Sequence, residues 1–387
     1  MGFVTASAPG KCILFGEHAV VYGHPAVAVA IDQRISLKIQ PSPNHLWLLD
    51  GSNLNMNRNP HIKGLIEKLW PREDGAPALS IHIEGNIPRA SGLGSSASLS
   101  VAFAAALRMA RGRWVSKTNE IQQQYWLEGF GSTITYSEPY DNSPGFFTTE
   151  SQDDMYHITS KSSVDYDECA ILAHSVEAAA QQGRASPMDS STCSHGGIVI
   201  ISDVVEPGID YLYQRTLAMK DATRQWHIHE MSPPSNSDDV YLVIGNTGVH
   251  APTGKQVAKV ADMLQQEPSR MKEIDTIGQI ARRGIKALKE GDFAAVGRTM
   301  TENQLMLSSI GVSSPELDNL IKAASPSSLG AKLTGAGGGG CMVALTRNPK
   351  ETSDAIELAG GRTLISRLGS SGLSIDNSQN TPLWTKT

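Results

Sequence analysis

Between Pro88 and Ala97 the chain reads Pro88-Arg89-Ala90-Ser91-Gly92-Leu93-Gly94-Ser95-Ser96-Ala97, a set of residue types suited to holding phosphate. Gly92 and Gly94 permit positive φ and carry no Cβ to keep an anion at a distance, while the hydroxyls of Ser95 and Ser96 can meet phosphate or a metal ion. If a helix begins here, its first backbone N–H groups lack intrahelical partners and carry the positive end of the dipole. A phosphate is then held without any basic side chain, so the local chemistry is nucleotide phosphate binding. The plainer alternative is a glycine turn capping a buried helix.

Two commoner phosphate motifs fit poorly. Gly92 to Ala97 formally matches G-x-G-x-x-G/A, but a dinucleotide site wants an acidic residue about twenty positions on, where this chain has Arg111 and Arg113. A Walker loop needs Gly-Lys-Ser/Thr, and none follows Gly94. Lys11, Glu17 and His18 form a second group, packed between glycines and small residues near the start. Lys11 follows Pro9-Gly10 at the head of an apolar run, placed to act on something, although a snorkelling lysine and a satisfied core histidine would look the same. A third group, Gly335-Ala336-Gly337-Gly338-Gly339-Gly340, also fits G-x-G-x-x-G. It leads into the apolar, strand-like run Cys341 to Leu345 where a dinucleotide fingerprint opens a helix, so it reads as a glycine loop before a strand.

The elements that must position these residues can be traced from periodicity. Ile81 and Ile83 alternate with polar partners up to Pro88, and an alanine-rich segment of helical spacing follows Ser96, which makes strand, loop, helix N-terminus. Cys12 to Phe15 and Ala26 to Ile31 read as strands flanking the Lys11–His18 group. Cys169 to Gln182 has helical spacing ended by Gly183 and carries His174, expected to pack, and Glu177. Asp189 lies in a loop, where it reads equally as a helix N-cap or an Asx-turn residue. Pro233 to Asp238 marks a boundary, giving domains at 1–232 and 233–387. Beyond it come a buried strand run at 240–249, helices at 258–264, 274–288 and 293–307 with a break at Gly291, then a helix end, a closing strand and a frayed tail.

With 387 residues, 40% of them apolar, and a net charge of −6, the chain has room for two domains with ample cores and no basic excess to draw nucleic acid or an anionic membrane. No apolar run reaches membrane-span length and Met1-Gly2-Phe3 opens no signal peptide, so a cytoplasmic location is expected. Cys12, Cys169, Cys193 and Cys341 show no C-x-x-C pairing, and neither a disulfide framework nor a zinc site is indicated. Residues 111–166 are unlike the rest, rich in aromatics amid Ser, Thr, Asn and Gln. There Ser132 to Phe147 suggests an irregular hairpin around Asn142-Ser143-Pro144-Gly145 in a surface excursion.

PGKCILFGEHAVVYGHPAVA, PRASGLGSSAS and KLTGAGGGGCMVAL, in that order, resemble the three motifs of the GHMP small-molecule kinases. The wording GEHAVVYG resembles the mevalonate kinase branch, and the segments 171–197 and 300–321 are similar to it as well, the former in its archaeal form. The resemblance implies an α+β fold of two lobes, with an N-terminal lobe like domain 2 of ribosomal protein S5, a ferredoxin-like C-terminal lobe and the site in the cleft between them. It implies ATP as phosphoryl donor, held by Pro88 to Ala97, with Mg²⁺ on Ser96 and Glu177. It implies Asp189 and Lys11 as the catalytic pair. Glu17, His18, Thr253, Gly335, Ala336 and Gly337 are implied contacts to a small-molecule acceptor, mevalonate, in isoprenoid biosynthesis. A homodimer is the candidate assembly. Other acceptors of the same superfamily and a non-catalytic binding protein of this fold are the alternatives. The family holds only a short connection where residues 111–166 stand.

Overall fold

The computed structural model describes residues 2–70, 75–88, 91–116, 124–128, 133–137, 155–158, 161–181, 185–218, 223–250, 252–377 and 383. Its architecture is two antiparallel-rich sheets with helices packed on them. The first sheet is built on two long strands, Val4–Phe15 and Ala26–Pro41, which pair antiparallel along most of their length with register shifts at Pro9/Lys11 and Ile13/Phe15. Around them lie Leu79–Gly85, Ile198–Ser202, Asp210–Ala218 and Thr223–Met231. The early strands are both longer than the apolar runs suggest, because pairing carries the backbone through polar residues at one end.

Helix Ser95–Arg111 is buried almost all round, which is why its alanines are needed: small side chains let it lie close to the first sheet and to helices Pro60–Leu69, Tyr166–Ala180 and Met188–His195. Its residues Val101 to Ala106 join Leu65, Leu69, Leu79 and Ile81 in one apolar core. A second core, with Phe15, Val27, Val29, Ile200, Ile244 and Leu288 among its members, runs beneath both sheets and welds them.

The second sheet takes strands Tyr241–Asn246, Gly330–Thr334, Cys341–Thr346 and Arg362–Arg367 in the spatial order second, third, first, fourth, all antiparallel. That order, with helices between the first two strands and helix Pro349–Leu358 between the last two, is a ferredoxin-like split βαβ arrangement. Helices Thr253–Gln266, Met271–Glu290 and Phe293–Ser309 match the expected positions, and Gly291 caps the middle one in a left-handed conformation. The passage from first sheet to second falls between Met231 and Tyr241, a stretch that contains the Pro233–Asp238 break.

The last strand, Ser374–Asn377, pairs with Val4 to Ser7 of the first sheet, so the chain crosses back after the ferredoxin-like unit. In the excursion, Thr133–Ser137 pairs with Gln124–Glu128 upstream of it, and Arg113–Ser116 pairs with Met155–Ile158. Residues 138–150, which hold the expected turn, lie outside the described residues, as do Gly183 and most of the C-terminal tail. Cys12, Cys169, Cys193 and Cys341 are buried thiols.

Candidate active site

Helix Ser95–Arg111 starts at Gly94, whose φ of 75° no β-substituted residue adopts comfortably, and no side chain caps its first N–H groups. A Cβ on Gly94 would stand 2.9 Å from Lys11 Cγ, so the absence of that atom is what lets the lysine pass the helix terminus. Lys11 is nine-tenths buried or more. Its Nζ donates to Gly92 O at 3.0 Å and lies 2.9 Å from Asp189 Oδ1. Burial works against the ammonium, but the Asp189 carboxylate beside it outweighs that cost and raises the Lys11 pKa above its ordinary value.

Asp189 is neither an N-cap nor an Asx-turn residue. Helix Met188–His195 starts at Pro187, and Asp189 sits in its first turn with its carboxylate turned to Lys11. The loop before it is pinned from behind by His174: Nε2–H donates to Ala185 O at 3.1 Å and Nδ1 accepts from Arg215 Nε at 2.9 Å. Burial holds that imidazole well below its ordinary pKa and thus neutral, so it packs as expected.

Glu177 lies on helix Tyr166–Ala180 and lines the same cleft as Lys11 and Asp189. Gln181, one turn on, donates Nε2–H to Glu177 Oε1 at 3.0 Å. Among the described residues Glu177 Oε2 is buried with no hydrogen-bond partner. Burial first, then the neighbouring Asp189 charge, pushes its pKa up to about 8. A buried carboxylate oxygen left without a donor fits a hard divalent cation, which takes few protein ligands when phosphate oxygens and water complete its shell. Among the described residues no group of three or more His, Cys, Asp or Glu side chains forms a closed metal cage. Ser96, the other expected metal ligand, is exposed in the first turn of its helix and is not among the residues lining the cleft.

Another part of the lining comes from helix Thr253–Gln266 and the loop after strand Gly330–Thr334. Gly335, Ala336, Thr253 and Val257 line the cleft together with Ile13, Val20 and Val21. The glycine loop 335–340 locks onto the phosphate loop directly: Cys341 N donates to Ser91 O at 3.1 Å, and a Cβ on Gly92 would meet Thr334 O at 2.8 Å. Gly337 is turned toward Val312 and does not line the cleft. His18 adopts φ 63°, ψ −43°, its Nε2–H donates to Ala336 O at 3.0 Å, and burial pulls its pKa down to about 4. Leu93 O accepts from Lys11 N at 3.0 Å, and Arg89 and Ala90 lie outside the described residues.

Glu17 lines the cleft beside His18, and its carboxylate has partners behind the wall. Its carboxylate is spent on Lys332, with which it forms a buried ion pair, and on Asn303 Nδ2 at 2.9 Å. The residue types around Lys332 and Asn303 do not single them out in the sequence. A second cavity, of about 710 Å³, is lined by Trp47, Leu54, Met56, Ile66 and Trp70 among others, and none of Lys11, Glu177 and Asp189 reaches it.

Comparison with known proteins gives the chain a family. The family described as GHMP kinases N terminal domain matches residues 60–133, and that described as GHMP kinases C terminal matches 285–361. A protein of Methanothermobacter thermautotrophicus named mevalonate kinase is 31% identical, over 88% of this chain and 89% of its own. One of Archaeoglobus fulgidus with the same name is 30% identical over 89% and 93%. The crystal structure of the Methanococcus jannaschii mevalonate kinase, 24% identical, superposes with a TM-score of 0.61 over 94% of this chain and 98% of that one.

Proposed function

Since the chain belongs to the GHMP kinases, we propose that it is an enzyme phosphorylating (R)-mevalonate at the 5-hydroxyl with ATP, giving ADP and 5-phosphomevalonate. The observation that carries the chemistry is the 2.9 Å contact of Lys11 with Asp189 beside an uncapped helix N-terminus. The choice of acceptor is supported by the archaeal relatives, both named mevalonate kinase.

In this reading Asp189 accepts the proton of the acceptor hydroxyl as its oxygen attacks the γ-phosphorus and the bond to ADP breaks. Lys11, kept cationic by its raised pKa, offsets negative charge on the phosphoryl oxygens. Phosphoryl transfer asks the protein mainly for such positioning and charge stabilisation. Residues Pro88 to Ala97 cradle the phosphates with backbone N–H groups. We assign the base of ATP to the aromatic cavity at Trp47 and Trp70, one wall of which is the helix Pro60–Leu69 packed on helix Ser95–Arg111.

Glu177 and Ser96 are the residues that would hold Mg²⁺, which when bound neutralises phosphate charge. His18, Thr253, Gly335 and Ala336 we assign to the acceptor side, whereas Gly337 shapes the loop. We place the lobe division at residue 233, count the last strand with the first lobe, and expect a cytoplasmic enzyme, with a homodimer to be sought by light scattering.

The deciding experiment couples ADP release to a colorimetric readout with mevalonate, phosphomevalonate, galactose and homoserine in turn. Mevalonate should give the highest kcat/KM. Faster turnover of any other acceptor sinks the assignment while leaving the kinase chemistry standing.

A further inference from the structure

Lys332 and Glu17 are buried charges, Glu17 at the cleft wall and Lys332 behind it, that the phosphoryl-transfer reading leaves without a task. A buried ion pair regains in attraction roughly what it loses in hydration, so stability alone is a poor reason to keep one. Its connections give a better reason. Besides Glu17, Lys332 Nζ reaches Ile13 O at 3.3 Å and Leu333 O at 2.5 Å. Asn303, from helix Phe293–Ser309, holds the other oxygen of Glu17. Ile13 N in turn donates to Thr334 Oγ1 at 2.8 Å.

The pair therefore ties the end of strand Val4–Phe15 to strand Gly330–Thr334, one from each sheet. Lys11 stands two residues before Ile13, and Gly335 and Ala336 directly follow Thr334. What the tie fixes is the spacing between the catalytic lysine and the loop that lines another part of the cleft. The residue after Glu17 is His18, in a backbone conformation that a histidine rarely adopts, with its ring on Ala336 O.

We propose that Glu17 and Lys332, held by Asn303, are positioning residues for phosphoryl transfer: they set Lys11 and the loop 335–340 in register at the cleft, and neither touches the acceptor. This rests on the kinase reading above, and the wild-type assay tests that reading before any variant is needed.

The variants are Glu17→Gln, Lys332→Met, the two combined, and Asn303→Ala, each in the full chain. They are scored for kcat, acceptor KM, equilibrium binding of a non-hydrolysable ATP analogue, and Tm. Each single charge variant should lower kcat by about 10²-fold, the loss a displacement of about 1 Å produces, with acceptor KM and nucleotide affinity little moved. The combined variant should regain Tm, because no buried charge is left alone, without regaining kcat. Asn303→Ala keeps the pair and so keeps the test alive if a charge variant fails to fold; it should lose kcat by a smaller factor. Folded variants with wild-type kcat, Asn303→Ala included, would reduce the pair to a structural role. A rise in acceptor KM confined to Glu17→Gln would make Glu17 a substrate ligand and overturn the proposal.

Discussion

Asp189 can be tested without disturbing its neighbours, because asparagine keeps the shape and removes the base. Asp189→Asn should lower kcat by about 10²–10⁴-fold, the usual worth of a positioned general base. The KM for ATP should move far less, since the phosphate loop is a separate element. A variant keeping half of the wild-type kcat would leave Asp189 without a catalytic role. His18 offers a test by pH. Its folded pKa of about 4 lies below the ordinary value of 6.5, so the folded state resists a proton that the unfolded chain takes up. The stability this contributes is fully present above pH 6.5 and is lost as pH falls toward 4, about 2 kcal/mol being gone at pH 5. Urea unfolding at pH 7 and pH 5 should therefore show a smaller acid loss for His18→Gln than for the wild type; an equal loss in both would mean that His18 is not buried in its neutral form. Residue types and ordered motifs are enough to point to Lys11, His18 and Asp189. They do not show that Glu17 is paired, because the lysine bound to it is 315 positions away, and nothing local announces such a partner.

Helix Tyr166–Ala180 delivers Glu177, and the residue just past its end fixes how that carboxylate is presented. Glu177 and Gln181 are four apart, a spacing at which side chains on one helical face meet, so the sequence itself holds the signal for this pair. Glu177→Gln should raise the Mg²⁺ concentration for half-maximal rate strongly, and Ser96→Ala should raise it as well. Gln181→Ala should raise it by a smaller factor, because it loosens an oxygen without removing one. Mn²⁺ binding to each protein by electron paramagnetic resonance, with the ATP analogue present, gives the same ranking apart from turnover. Unchanged metal affinity in Glu177→Gln would take this helix out of the metal site. Elsewhere the long periodic helices fall where the apolar spacing puts them. Strands are harder, since a single sequence shows that Thr133–Ser137 is extended but not which neighbour it will choose, and the partner lies upstream.

Across the molecule, the two-sheet arrangement follows from ordered motifs, while the contacts that weld the sheets arise between residues hundreds of positions apart. The aromatic-rich segment tests how separable its parts are. Replacing residues 114–156 with a short Gly/Ser linker should leave a folded enzyme of nearly unchanged ATP affinity, since closing a loop of this size differs little in entropic cost from one somewhat longer or shorter. Circular dichroism and nucleotide titration of the deletion variant would decide it, and loss of either fold or binding would place the segment in the core. Pairing of Ser374–Asn377 with Val4–Ser7 has a consequence in time. On the ribosome the first strand emerges at the outset, yet its edge partner is made only after the whole ferredoxin-like unit. One margin of the first sheet thus stays open throughout synthesis, a bare edge exposed to wrong partners until the closing strand arrives.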